Sequence, residues 1–85
     1  MQHYRYPTRE ELIHLDRRIL IKIVRDTAQE VWASMTADQK TVVRFGMFPA
    51  EIMEKHTDLE DRDILPITLS VALMDCAKAD GGMRA

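Results

Sequence analysis

The chain has 85 residues, 46% of them hydrophobic, with 12 Lys and Arg against 14 Asp and Glu. That composition describes one small folded domain spanning 1–85, and the formal net charge of −2 lacks the strong positive balance that nonspecific nucleic-acid binding requires. Cys76 is the single cysteine, so no internal disulfide can form and a cytoplasmic, reducing location is expected; no membrane span and no secretory signal are expected either.

The charge is unevenly placed. Residues 1–45 hold eight Lys/Arg against six Asp/Glu, and residues 46–85 hold four against eight. Such asymmetry favours packing between the two halves of the chain, or between two copies of it.

After an N-terminal tail of residues 1–7, Thr8 and Glu11 stand three places apart, the reciprocal arrangement of a capping box. Apolar residues follow at Leu12, Ile13, Ile19, Leu20, Ile23, Val24, Val31, Trp32 and Met35. At 100° per residue they form one broad side centred near Leu20 and Val24. Glu11, His14, Arg18, Lys22, Arg25 and Gln29 lie opposite. No Gly or Pro interrupts residues 9–35, so one long first helix of roughly 40 Å is expected at 1.5 Å per residue.

Thr36 with Gln39 repeats the start signal, and Gly46 suits the left-handed residue that ends a helix. Val42, Val43 and Phe45 are expected on the buried side of this second helix. Pro49 opens a third, through Ile52 and Met53 to about His56. The acidic stretch 57–63 has no apolar period and reads as a loop or one loose turn. In the last segment Ile67, Leu69, Val71 and Leu73 alternate like a strand. Apolar character continues to Ala79, however, Asp63 before Pro66 suits a helix start, and Gly81–Gly82 suits its end. A helix is the favoured reading, and it should be the most buried element, before a C-terminal tail of 80–85. The predicted fold is all-α: a compact bundle of about four helices, the first of them long, with a helix-turn-helix-like corner at Gly46 and Pro49.

The corner "FGMFPAEIMEKH" has the tight turn that two steeply crossing helices need. As a DNA reader it is poorly equipped, since Glu51 and Glu54 at the start of the second helix repel phosphate and only Lys55 offsets them. The stripe Arg18, Lys22, Arg25 is a candidate basic contact face, although a solvated helix surface explains it as simply. His56, Asp58, Glu60, Asp61 and Asp63 match neither calcium-loop nor zinc-ligand spacing, so no metal and no cofactor are expected. Cys76 lies in the most apolar segment beside Asp75, which opposes thiolate formation. No phosphate loop or nucleophile elbow accompanies it, and no catalytic activity is expected.

What remains is apolar surface. Three shorter helices would struggle to cover a stripe running the length of a 9–35 helix, so Ile13, Leu20, Val24, Val31, Trp32 and Met35 are the candidate partner or dimer interface. The expected function is that of a non-enzymatic helical interaction module, a regulator or inhibitor that binds another protein and forms a homodimer. A small helix-turn-helix transcriptional regulator is the alternative.

Overall fold

The computed structural model describes residues 8–82, and among them the chain is all-α, with no strand. The helices are α1 (Arg9–Ile13), α2 (Arg17–Ser34), α3 (Ala37–Arg44), α4 (Ala50–Met53) and α5 (Leu69–Gly82), with a 3-10 helix, Glu54–Glu60, between α4 and α5. They form the expected compact bundle, and the alternating segment around Leu69 is helical. Apolar character sustained through Ala77 outweighs a period-two pattern only seven residues long.

The single helix expected over 9–35 is instead two. α1 ends at Ile13, and Asp16 adopts an extended conformation (φ −63°, ψ 146°) and accepts the Arg18 N–H at 2.8 Å, capping a new helix. An aspartate inside a helix gains little, whereas at an N-cap it satisfies one of the orphan amides of the first turn. No Gly or Pro is required for such a break. The bend turns α1 so that Leu12 is fully buried while Ile13 is 52% exposed.

The capping box at the start of α1 is present: the Thr8 N–H donates to Glu11 Oε1 (2.8 Å) and the Glu11 N–H donates to Thr8 Oγ1 (3.3 Å). Thr36 and Gln39 make the same reciprocal pair at the start of α3 (3.0 and 3.1 Å). At the other end of α3, Gly46 has φ 85°. Its N–H donates to the Val43 carbonyl (2.8 Å) and the Met47 N–H donates to the Val42 carbonyl (3.1 Å), the paired bonds of a Schellman motif. Pro49 precedes the following helix as its N-cap residue. That helix is shorter than expected. α4 is one turn, and the chain then tightens to 3-10 geometry with a kink at His56 (φ −128°, ψ 35°).

α5 begins later than Asp63 would suggest, at Leu69, and extends through Gly82, into the segment expected to be a tail. Its start is organised from outside. Glu60, on the 3-10 helix, accepts the Ser70 N–H at 2.7 Å and the Ser70 hydroxyl at 2.6 Å, placing a carboxylate at the positive end of the helix dipole. Thr68 accepts the Val71 N–H more distantly, at 3.5 Å.

The core lies where α5 packs along α2, with α3 also packed against α5. Leu20, Val24, Ala28 and Val31 of α2, and Met35 just beyond it, join Leu69, Ala72, Leu73 and Ala77 of α5, closed by Leu12, Val43, Leu59 and Leu65. α5 is thus central as expected, with one exception: Val71 points outward and is 45% exposed. Three polar residues, Thr27, His56 and Thr68, are also buried. Arg9 pairs with Asp61, tying α1 to the chain after the 3-10 helix, and Arg44 pairs with Asp80 at 2.8 Å, tying α3 to α5.

Two outcomes follow. Leu69→Asp places a carboxylate in a fully buried site, at a cost of several kcal/mol comparable with the ~5 kcal/mol that holds a small domain together. It should abolish the cooperative melt in circular dichroism, whereas Val71→Asp should keep both helical signal and melt; equal loss in both variants would contradict the orientation of α5. Burial, with Lys55 adding to it, pulls the His56 imidazole below its usual pKa of 6.5. The folded state therefore binds the proton less readily than the unfolded chain. This contribution to stability is complete above about pH 6.5 and is lost as the pH falls towards the folded-state value. Urea midpoints between pH 7.5 and 5 should drop more steeply for the wild type than for His56→Gln.

Candidate functional site

The stripe expected to meet a partner is largely covered by the chain itself. Leu20, Val24, Val31 and Met35 are core residues with 0–7% exposure, so they offer nothing to a second molecule in the folded state. The break at Asp16 removes the reason to expect otherwise, because the apolar side of α2 alone is short enough for α5 to cover. Trp32 is half-buried at the edge of this core, with Lys40 Nζ at 5.4 Å and the Arg44 guanidinium at 5.6 Å from its ring centroid. Both distances allow attraction between cation and ring. Of the six candidate interface residues, only Ile13 is exposed.

The basic face is exposed as expected, but two of its three charges have local partners. Arg18 lies 3.7 Å from Asp16, and Lys22 Nζ contacts Asp26 Oδ2 at 3.1 Å, one helical turn on. Arg25 has no ion pair or hydrogen bond among the described residues. It stands at the edge of an open groove of about 300 Å³ between α2 and α5, lined by Arg25, Gln29, Ala72, Asp75, Cys76 and Ala79. The Cys76 thiol, half-buried there, is pushed above its usual pKa by burial and then by Asp75. A thiol held in its neutral form is a poor nucleophile.

The apolar surface lies elsewhere, at the corner after α3. Phe45 is 81% exposed, Met47 64% and Val42 36%. Val42 and Phe45 were expected on the buried side of α3, and only Val43 is there. α3 has eight residues, one narrow side of which faces α5; Val42 and Phe45, three apart on another side, face solvent together with Met47. Phe48, Ile52 and Met53, by contrast, pack against the core. The corner is braced from both directions. The Schellman turn fixes Gly46, and Gln39 Nε2 donates to Glu51 Oε1 at 3.1 Å, linking α3 to α4. The sequence signal for this patch was the run of large apolar residues around Gly46, which reads equally well as core.

The same geometry bears on DNA recognition. The element after the corner is a single turn with Glu51 and Glu54 exposed, then a kinked 3-10 helix. A recognition helix needs several exposed residues in regular register along the major groove. Among the described residues, no group of three or more His, Cys, Asp and Glu is placed to hold a metal ion, and no helix is long and apolar enough to cross a membrane.

Exposed side chains contribute little to folding. Phe45→Ser should move the melting free energy by no more than ~0.5 kcal/mol. Gly46→Val should destabilise by ~1–2 kcal/mol or more. No atom lies within 4 Å of the site its Cβ would take, so the penalty comes from the left-handed backbone alone. Chemical denaturation of both variants checks this, and a large loss with Phe45→Ser would make that ring structural. No protein-family model, curated protein or solved structure matches this chain.

Proposed function

We propose that this protein is a non-enzymatic helical interaction module, a regulator or inhibitor that acts by binding another protein, with the corner patch Val42, Phe45 and Met47 as its contact. The observation that carries this reading is the exposure of Phe45 and Met47, 81% and 64%, two residues apart on a capped turn. A Phe ring alone can bury ~150–250 Å². With Met47 and Val42 the patch reaches the few hundred Å² that on small soluble proteins often marks a binding site. Large, rigidly presented apolar side chains are also what the centre of a protein interface uses. Exposure of this kind is costly to solubility, and a capped corner that holds it in place argues for use.

Tagged wild type and a Phe45→Ser/Met47→Ser double variant, expressed in the native cells and captured in parallel, test the reading. A protein partner retained by the wild type and lost by the folded double variant is the expected outcome. If the retained material is instead nucleic acid, released by raising the salt and indifferent to the two substitutions, the regulator acts on DNA and the corner is architecture. The homodimeric state also belongs to this proposal, but it needs a surface other than the α2 stripe.

A further inference from the structure

We propose that the open groove between α2 and α5 is a self-complementary docking surface for a second copy of this chain, each α2 lying on the partner's α5 to make a four-helix arrangement. The inference rests on the homodimeric part of the functional reading and is independent of the corner patch.

The groove has two banks of opposite character. On the α2 bank stand Arg25 and Gln29, continuing the exposed basic side that begins at Arg18 and Lys22; on the α5 bank stands Asp75. Neither Arg25 nor Asp75 has an ion pair or hydrogen bond among the described residues, whereas Lys22 pairs with Asp26 within α2 and Asp80 of α5 pairs with Arg44 of α3. The floor is Ala72, Cys76 and Ala79, whose small side chains leave the groove open. An open trough whose polar residues, Arg25, Gln29 and Asp75, are all exposed is a poor pocket for a small molecule, which would leave much of its surface in water.

A two-fold interface pairs residue i with j and j with i, so a surface fits itself when its two sides are complementary. Two helix pairs can meet groove to groove in two ways. With the two-fold axis across the helices, α2 faces α2, which sets Arg25 against the partner's Arg25 and Asp75 against the partner's Asp75. With the axis along the helices, α2 faces α5, and Arg25 meets the partner's Asp75 twice over. Charge selects the second. Helix pairs stacked in this way are the packing unit of four-helix bundles, and small floor residues let the helices approach. The excess of positive charge in residues 1–45 and negative charge in 46–85 favours the same cross-pairing. The corner patch, by comparison, is smaller than the ~800 Å² per partner of a standard interface, and on its own it would not hold two copies together.

Sedimentation equilibrium of the full chain from about 10 µM to about 1 mM tests the proposal through three charge states of the same surface. The wild type should show a weak, reversible dimer. Arg25→Asp and Asp75→Arg should each raise the dissociation constant at least about tenfold, since each puts two like-charge pairs into the interface. Mixed in equal amounts, these two variants should form a heterodimer within about threefold of wild-type affinity, because both cross-contacts again join opposite charges, one in the native sense and one reversed. Ala79→Arg, on the groove floor, should abolish dimerisation while circular dichroism keeps the helical signal. A wild type that is monomeric at every concentration overturns the proposal. So does a dimer that neither reversal weakens, or one weakened by both but not rescued by mixing. Loss of the dimer on Phe45→Ser would assign it to the corner and likewise overturn the groove. Protein capture through Phe45 and Met47 reads the other surface, so failure there is distinguishable from failure here.

Discussion

The burial of α5 along α2 is the interaction on which the rest of this structure depends. A fully buried Leu or Val side chain contributes ~1.5–3 kcal/mol relative to leaving it in water, and the seam contains Leu20, Val24, Val31, Leu69 and Leu73. The ion pairs around it are worth much less. Arg44 and Asp80 are both more than 40% exposed, and a pair of that kind supplies ~1 kcal/mol at most. Ala28 on α2 and Ala72 and Ala77 on α5 are also buried in this core, and small residues permit two helices to lie close. The remaining elements act mainly to place the two rods. α1 folds back to bury Leu12, the 3-10 helix brings Leu59 into the core and Glu60 to the start of α5, and α3 packs against α5.

That arrangement constrains where function can reside. Once the seam closes, the most regular apolar pattern in the sequence is used up in folding. The surfaces proposed for recognition are features with no regular period: a corner held by a left-handed glycine and a groove between two helices. The two differ in kind. The corner offers apolar surface on a rigid turn, suited to a partner with a hydrophobic pocket. The groove offers separated charges of opposite sign and little bulk, suited to a surface that mirrors its own. In the two proposals the surfaces do not overlap, so binding at the corner and pairing at the groove are compatible.

The buried polar residues belong to the same economy of packing. His56 sits at the kink where the α-helical turn of α4 gives way to 3-10 geometry, and burial pulls its pKa below the usual value. Glu60 lies four residues further on and closes the first turn of α5 from outside. The stretch 57–63, which looks like an acidic loop in the sequence, thus carries one buried side chain, Leu59, and one capping carboxylate, Glu60.

Local interactions were legible in the sequence because they involve residues a few places apart. The two capping boxes, the left-handed Gly46 and the helical character of the last segment follow from side chains and backbone groups that meet within one or two turns. The break at Asp16 was legible in principle, since an aspartate can cap. Nothing local distinguishes a capping aspartate from an exposed one, and the absence of Gly or Pro pointed to a continuous helix. What only the tertiary structure decided is which apolar residues stay in water. Val42, Phe45 and Val71 have the same chemistry as Val43, Leu69 and Leu73. Their exposure depends on which side of each helix meets a neighbour, and that is set by the packing of α2 and α3 against α5. The groove is of the same kind: Arg25 and Asp75 stand fifty residues apart in the chain, and they share a site only because α5 lies along α2.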